Sequence, residues 1–226
     1  MSSVEAQVLK FHEFLTHGIR ILPLIIGFTS LVYGVGVGNI AFAFIAAGMI
    51  LLVPIVSTLG DSIFTTILGW IPRIPVSWYS HPSSPECGLL TTPTSGQVIT
   101  STMSYWTTSM AFFFTYFFLN AMTLFKRPSA ANASYEKVQA RKVQSVMSIL
   151  IAGAIALGLI IYRLKNGCES PIGLLLGVAG GVGVGYGWFE ALKACSGDRL
   201  VDLFGIANRI MSADRVSAPQ VCVPVP

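Results

Sequence analysis

Apolar residues run along this chain in long, uninterrupted stretches. From Ile21 to Gly60 no position is charged, about twice the roughly 20 residues a helix needs to cross a bilayer. The stretch Gly34-Val35-Gly36-Val37-Gly38-Asn39 breaks the run near its middle, and glycine-rich sequence ending in Asn is turn chemistry. The pattern predicts a helical hairpin, Ile21–Val37 followed by Ile40–Val56, with Pro54 kinking or ending the second arm. Ile63–Trp78 is apolar but interrupted by Pro72, Arg73 and Pro75. It reads as part of an interfacial loop over residues 57–102, with Trp70, Trp78 and Tyr79 at headgroup depth. Three more spans are predicted at Met103–Phe125, Val146–Tyr162 and Pro171–Phe189. Trp106, Tyr162 and Trp188 lie near their ends, where aromatic belts form. The expected fold class is all-α: an integral membrane protein with about five transmembrane helices over 21–190, flanked by amphipathic segments at 1–20 and 191–226.

At the N-terminus, Ser2-Ser3-Val4-Glu5 matches a capping box, and Val4, Val8, Phe11 and Leu15 follow at helical spacing. This predicts an amphipathic helix leading into the first span, with membrane contact preferred and docking on a partner the alternative. A polar segment precedes the first apolar run and no small-residue cleavage site follows it, so that span is expected to be its own insertion signal. Ser2 stands where N-myristoylation needs Gly. After Glu190, Leu200, Leu203, Phe204, Ala207 and Ile210 form an apolar stripe, with Arg199, Asp202, Asn208 and Arg209 on other faces. Ser196 or Asp198 could cap such a helix. The closing Ala218–Pro226 segment, with Pro219, Pro224 and Pro226, favours extended backbone suited to a groove or a sheet edge. Leu200, Leu203, Phe204 and Ile210 are therefore candidate partner-binding residues; the alternative is a membrane-lying helix with a frayed end.

Composition agrees. Apolar residues make up 53% of the chain and charged residues 11%, against roughly 25% charged in a soluble domain, and mean hydropathy is +0.70. This excludes an ordinary soluble enzyme, and the low charge with abundant aromatics excludes a disordered chain. The net charge of +4 does not point to nucleic acid, because no stretch interleaves Lys/Arg with aromatics as a strand-binding platform would. Basic residues instead flank the spans. Lys10, Arg20, Arg73, Arg163 and Lys165 share one side. Lys126, Arg127, Lys137, Arg141, Lys142, Lys193, Arg199, Arg209 and Arg215 share the other, which favours a cytoplasmic C-terminus. The Asn132-Ala133-Ser134 sequon then faces the cytoplasm and stays unmodified.

Cysteine gives the sharpest chemical expectation. Cys87 and Cys168 are separated by the third and fourth spans and face one side, while Cys195 and Cys222 share the other. Two disulfides are permitted, Cys87–Cys168 preferred if its side is oxidising; four free thiols is the alternative. His12 and His17 are one residue too far apart for an HExxH zinc motif, and His81 stands alone, so no metal site is expected. None of the five spans carries an ionisable residue away from its end, which disfavours proton-coupled transport. Asn120 is the most polar intramembrane residue and is expected to hydrogen-bond another helix. Gly173, Gly177, Gly181 and Gly185 recur every four residues, a face that lets a helix approach closely. The run Phe112-Phe113-Phe114-Thr115-Tyr116-Phe117-Phe118 of the third span would offer bulky rings to pack over it. No nucleotide, nucleophile or acid–base motif is present, so no enzyme activity and no cofactor are expected.

Several strings carry a resemblance: Cys87-Gly88-Leu89-Leu90, Thr94-Ser95-Gly96, Met103-Ser104-Tyr105-Trp106, Gly185-Tyr186-Gly187-Trp188, the stretch from Asp198 to Arg209, and Val221-Cys222-Val223-Pro224. Over Cys87–Pro226 the chain resembles multi-pass membrane proteins of large icosahedral double-stranded DNA viruses that infect algae and amoebae. The resemblance implies a structural protein of the virion's internal membrane, partnered by the bilayer and by capsid or other membrane proteins. It also implies a viral thiol oxidase, which would make cysteine pairing on the cytoplasmic side less surprising. Two alternatives stand beside it: an oligomeric channel lined or packed by the glycine-rich fifth span, and a non-catalytic subunit of a cellular membrane complex.

Overall fold

The computed structural model describes residues 3–71, 74–79, 81–82, 87, 100–126, 135–196 and 200–203. Its first helix, α1, runs unbroken from Ser3 to Val37. At ~1.5 Å per residue its 35 residues extend about 52 Å, well beyond the roughly 30 Å hydrocarbon layer. The N-terminal amphipathic segment and the first span are thus one rod, whose outer turns expose Phe11 and Phe14. The capping residue Ser2 and the side chains of Val4 and Val8 lie outside the description.

The hairpin turn sits where the glycines place it. Gly38 takes the left-handed backbone, φ +70°, which a residue with a Cβ resists. Asn39 then caps α2 (Ile40–Ala47), its side-chain oxygen accepting the Ala41 N–H at 3.1 Å. Gly34 lets the two arms close, since a Cβ there would run into the Ala43 backbone.

Beyond Ala47 the structure departs from the sequence reading. The second arm does not stop near Val56: a π-helical turn over Gly48–Leu52 leads into α3 (Val53–Gly69). In that wide turn the Val53 N–H bonds to the Gly48 carbonyl. Proline disrupts an ordinary helix because it lacks an N–H and its ring meets a carbonyl one turn back. A wider turn just before Pro54 relieves that conflict, so the helix passes through. The Ser57 and Thr58 hydroxyls donate to the Pro54 carbonyl. Ile63–Gly69 therefore belongs to the second span rather than to an interfacial loop. Trp70 and Trp78 are exposed beyond it, whereas Tyr79, at the end of the short α4 (Val76–Tyr79), is buried. Strands β1 (His81–Pro82) and β2 (Thr100–Ser101) make a brief antiparallel ladder, with His81 opposite Ser101.

Three long helices complete the bundle: α5 (Tyr105–Lys126), α6 (Tyr135–Lys165) and α7 (Pro171–Ser196). The last two outrun the predicted spans, α6 at its start and α7 at its end. The α6–α7 turn is tightly specified. Gly167 is left-handed, φ +65°, and the Cys168 N–H reaches back to the Arg163 carbonyl at 2.9 Å, a Schellman ending. Ser170 caps α7 by accepting the Gly173 N–H at 3.0 Å, with Pro171 next to it at the helix start.

Five segments are long and apolar enough to cross a membrane: Glu13–Val37, Ile40–Gly69, Tyr105–Lys126, Val138–Lys165 and Pro171–Cys195. The chain is an all-α multi-pass membrane protein. Its core packs Ala41, Ile45, Met49 and Val53 against Phe112 and Tyr116 of α5 and Phe189 and Leu192 of α7.

Candidate functional site

Three assemblies hold the bundle together, and the residues singled out from the sequence fall among them. The first is the seam between α5 and α7. Gly173 faces the Thr102 carbonyl, and Gly181 faces the backbone of Thr108 and the Ala111 methyl. A Cβ on Gly177 would lie 3.1 Å from the Thr107 side chain, and one on Gly185 would lie 3.0 Å from the Phe112 carbonyl. All four glycines are in use. Gly173 meets the chain just ahead of the third span, and the other three meet the third span itself, on its small-residue side, Thr107, Thr108, Ala111 and Thr115, and not on its aromatic rings. The reason is distance: small residues facing small residues bring two backbones together, which a ring between them would prevent. The rings turn to other neighbours. The tip of Phe112 reaches Gly48 in the π-helical turn, and Tyr116 meets Phe189 edge-on at 5.3 Å between centroids.

The second assembly lies on the side where α3 and α6 end and α5 and α7 begin. Cys87 and Cys168 form a disulfide there, with 5.2 Å between Cα atoms. Beside it Arg163 pairs with Glu169 at 2.7 Å, both side chains buried at 5% and 3% exposure. The Arg163 guanidinium also donates to the Cys87 carbonyl at 3.3 Å and lies 4.5 Å from the centre of the Trp106 ring. Glu169 also accepts a bond from the Thr107 hydroxyl at 2.7 Å. The Trp106 indole N–H donates to the Ile19 carbonyl at 2.8 Å, and the Thr16 and Tyr162 hydroxyls meet at 2.9 Å. One polar cluster thus joins α1, α5, α6, the α6–α7 turn and the Cys87 loop. Asp61 of α3 adds a second tie on this side: one carboxylate oxygen accepts the N–H groups of Thr102 and Met103. The longer second helix places this ionisable residue within the span, contrary to the expectation of spans charged only at their ends.

The third assembly is at the opposite end, where the chain returns after α7. Asn120 donates to the Val201 carbonyl, Tyr116 to that of Leu200 at 3.3 Å, and Asn39 to that of Leu203 at 3.3 Å. Asn120 therefore bonds the tail rather than another span. Leu200–Leu203 forms turns instead of a helix, and Val201 and Leu203 are buried in the core. Leu203 is accordingly no free docking residue, and Leu200 packs against the same core. Phe204 and Ile210 lie outside the described residues. So does Cys222; Cys195 is exposed and has no disulfide to a described cysteine. Among the described residues, no three His, Cys, Asp or Glu side chains gather as a metal site would require.

The sequence reading missed the Arg163–Glu169 pair and Asp61. The available signal was two opposite charges flanking a Gly-containing turn between apolar runs, close enough in sequence for the turn to bring them together. The chain matches no protein-family model, no curated protein and no solved structure.

Proposed function

We propose that this protein is a structural component of a viral inner membrane, tying the bilayer to capsid components through its exposed loop and C-terminal arm. The observation that carries this reading is the capture of Leu200–Leu203. Three side chains, two from the third span and one from the hairpin turn, grip three carbonyls of the tail, so the chain leaves Leu203 from a fixed point on the bundle. An anchor needs such a fixed origin, because a load on a loosely attached arm would not reach the membrane body. The cross-ties on the opposite side, one covalent and one ionic, fit the same purpose. The resemblance carried by several strings of the sequence suggests the virion setting of this proposal. The glycine-lined channel has less to stand on, since the glycine face is occupied by α5.

The test is crosslinking with mass spectrometry on intact particles or native membranes, reading what Lys193 at the end of α7 touches. Reproducible links to a second, shell-forming protein are expected. Links only between copies of this chain would overturn the anchoring role and put a channel formed between copies first.

A further inference from the structure

A long crevice runs between α5, α6 and α7, with a volume of about 390 Å³. It follows α5 from Trp106 to Leu119, touching each successive turn, and is flanked by Leu159 of α6 and Val182 of α7. The way the three helices meet explains it. Small residues draw α5 and α7 together. On the α6 side Phe114 lines the gap, and a ring at that position holds a neighbouring helix further off than a methyl group does. α6 is accordingly the least buried of the five spans.

Size and chemistry decide what can fill it. A dry apolar cavity of about 150 Å³ already takes up benzene or xenon, so this larger one calls for an occupant. Water does not qualify. Trp106 and Thr107 spend their N–H and hydroxyl on the Ile19 carbonyl and Glu169, Thr115 is the other polar residue of the lining, and a buried water needs about two to four polar partners. A helix does not qualify either. At ~1.5 Å per residue the crevice is about 20 Å long. Spread over that length its volume makes a passage roughly 5 Å across, while a helix with its side chains is about 10–12 Å wide. What fits is a single slender apolar chain. The depth agrees: Trp106 opens α5 beside Tyr162 and Arg163 at the end of α6, and such residues mark headgroup level. From there the crevice descends further than half of the roughly 30 Å hydrocarbon layer, the full depth of one leaflet.

We propose that this crevice is an acyl-chain site, holding one hydrocarbon tail of a phospholipid from the leaflet on the disulfide side. The tail lies along α5 and fills the space between α6 and α7. It is recognised by its width and apolarity, not by its headgroup, and it seats α6 on the rest of the bundle. This inference stands apart from the anchoring role and does not depend on it.

The experiment places the full chain in vesicles of phosphatidylcholine bearing a diazirine in one acyl chain, dilutes them into unlabelled phosphatidylcholine, illuminates them and maps the adducts by mass spectrometry. Freely exchanging lipid is lost on dilution, so Leu157, which is 58% exposed on α6, should lose its label. Phe114 and Leu159, which line the crevice, should keep theirs. Ala156→Phe puts a ring into the crevice and should lower the retained label about tenfold, one decade of occupancy; Leu157→Phe should leave it unchanged. Val178→Leu combined with Val182→Leu narrows the space by less and should give a smaller loss. An intact Cys87–Cys168 bond by alkylation mass certifies each variant's fold. Phosphatidylglycerol with the same labelled chain should mark the same residues equally. Label lost from Phe114 and Leu159 as fast as from Leu157, or retained label unmoved by Ala156→Phe with the fold intact, would overturn the site. So would preferential labelling of these residues by a diazirine sterol in competition with the phospholipid.

Discussion

Asn120 in the third span donates its side-chain amide to the main-chain carbonyl of Val201, 81 residues further along the chain. A polar amide in the middle of an apolar run thus serves the tail. A buried amide facing a buried carbonyl fixes position strongly, because separating them leaves both unsatisfied in an apolar setting.

Asn120→Leu is expected to loosen the tail without unfolding the bundle. In a Leu203→Cys background with Cys195 and Cys222 replaced by Ser, where the native Leu203 side chain is 4% exposed, the thiol should react slowly with a membrane-impermeant maleimide. Adding Asn120→Leu should speed labelling by about tenfold, the effect of ~1.4 kcal/mol on a local opening. Unchanged labelling would mean the tail is held by apolar packing alone.

The α5–α7 seam predicts opposite outcomes at two glycines of one helix. Gly181→Val places side-chain atoms into the Thr108 carbonyl and Ala111, and overpacking of this kind costs about 1–3 kcal/mol. Gly183→Ala meets nothing within 4 Å and should stay within ~0.5 kcal/mol of wild type. Reversible unfolding in mixed detergent measures both, and equal effects would contradict the seam.

Breaking the buried ion pair on one side should be worse than removing it. Glu169→Gln leaves the Arg163 guanidinium buried beside a neutral partner, and loss of one member of such a pair costs about 3–5 kcal/mol. Arg163→Met combined with Glu169→Met should recover part of that loss. A thermal-unfolding double-mutant cycle reads the difference; additive single effects would show that the two residues act separately.

The disulfide and the basic residues together predict a sidedness. The Cys87–Cys168 face is expected to lie in an oxidising compartment and the Asn132 sequon in the cytoplasm. Expression in microsomes should leave Asn132 bare, while a sequon engineered between Cys87 and Thr100 should be glycosylated. Glycan on Asn132 would invert the topology.

Much of this architecture was legible in the sequence for physical reasons. Gly38 and Asn39 announce a turn because one tolerates a left-handed backbone and the other caps a helix. The four-residue glycine period announces a close crossing, and its partner span was readable. Which side of that partner faces the glycines was not, since the aromatic run obscures the threonines and alanine interleaved with it. Pro54 misled because a proline's effect depends on the turn before it, and π-helical turns leave little trace in sequence. The stripe at Leu200 and Leu203 showed that the segment would be covered, but not that its own bundle would cover it. Arg163 and Glu169 were visible only as isolated charges, because their meeting depends on the geometry of the turn at Gly167.

The disulfide also carries a timing. Joining Cys87 to Cys168 across a separation of 81 residues closes a covalent ring around the whole of α5 and α6. That ring cannot close until the fourth span has been threaded and Cys168 delivered to the face where Cys87 waits; it does not need the fifth. Oxidation therefore records a stage of biogenesis, separating chains with four spans in place from those still being inserted.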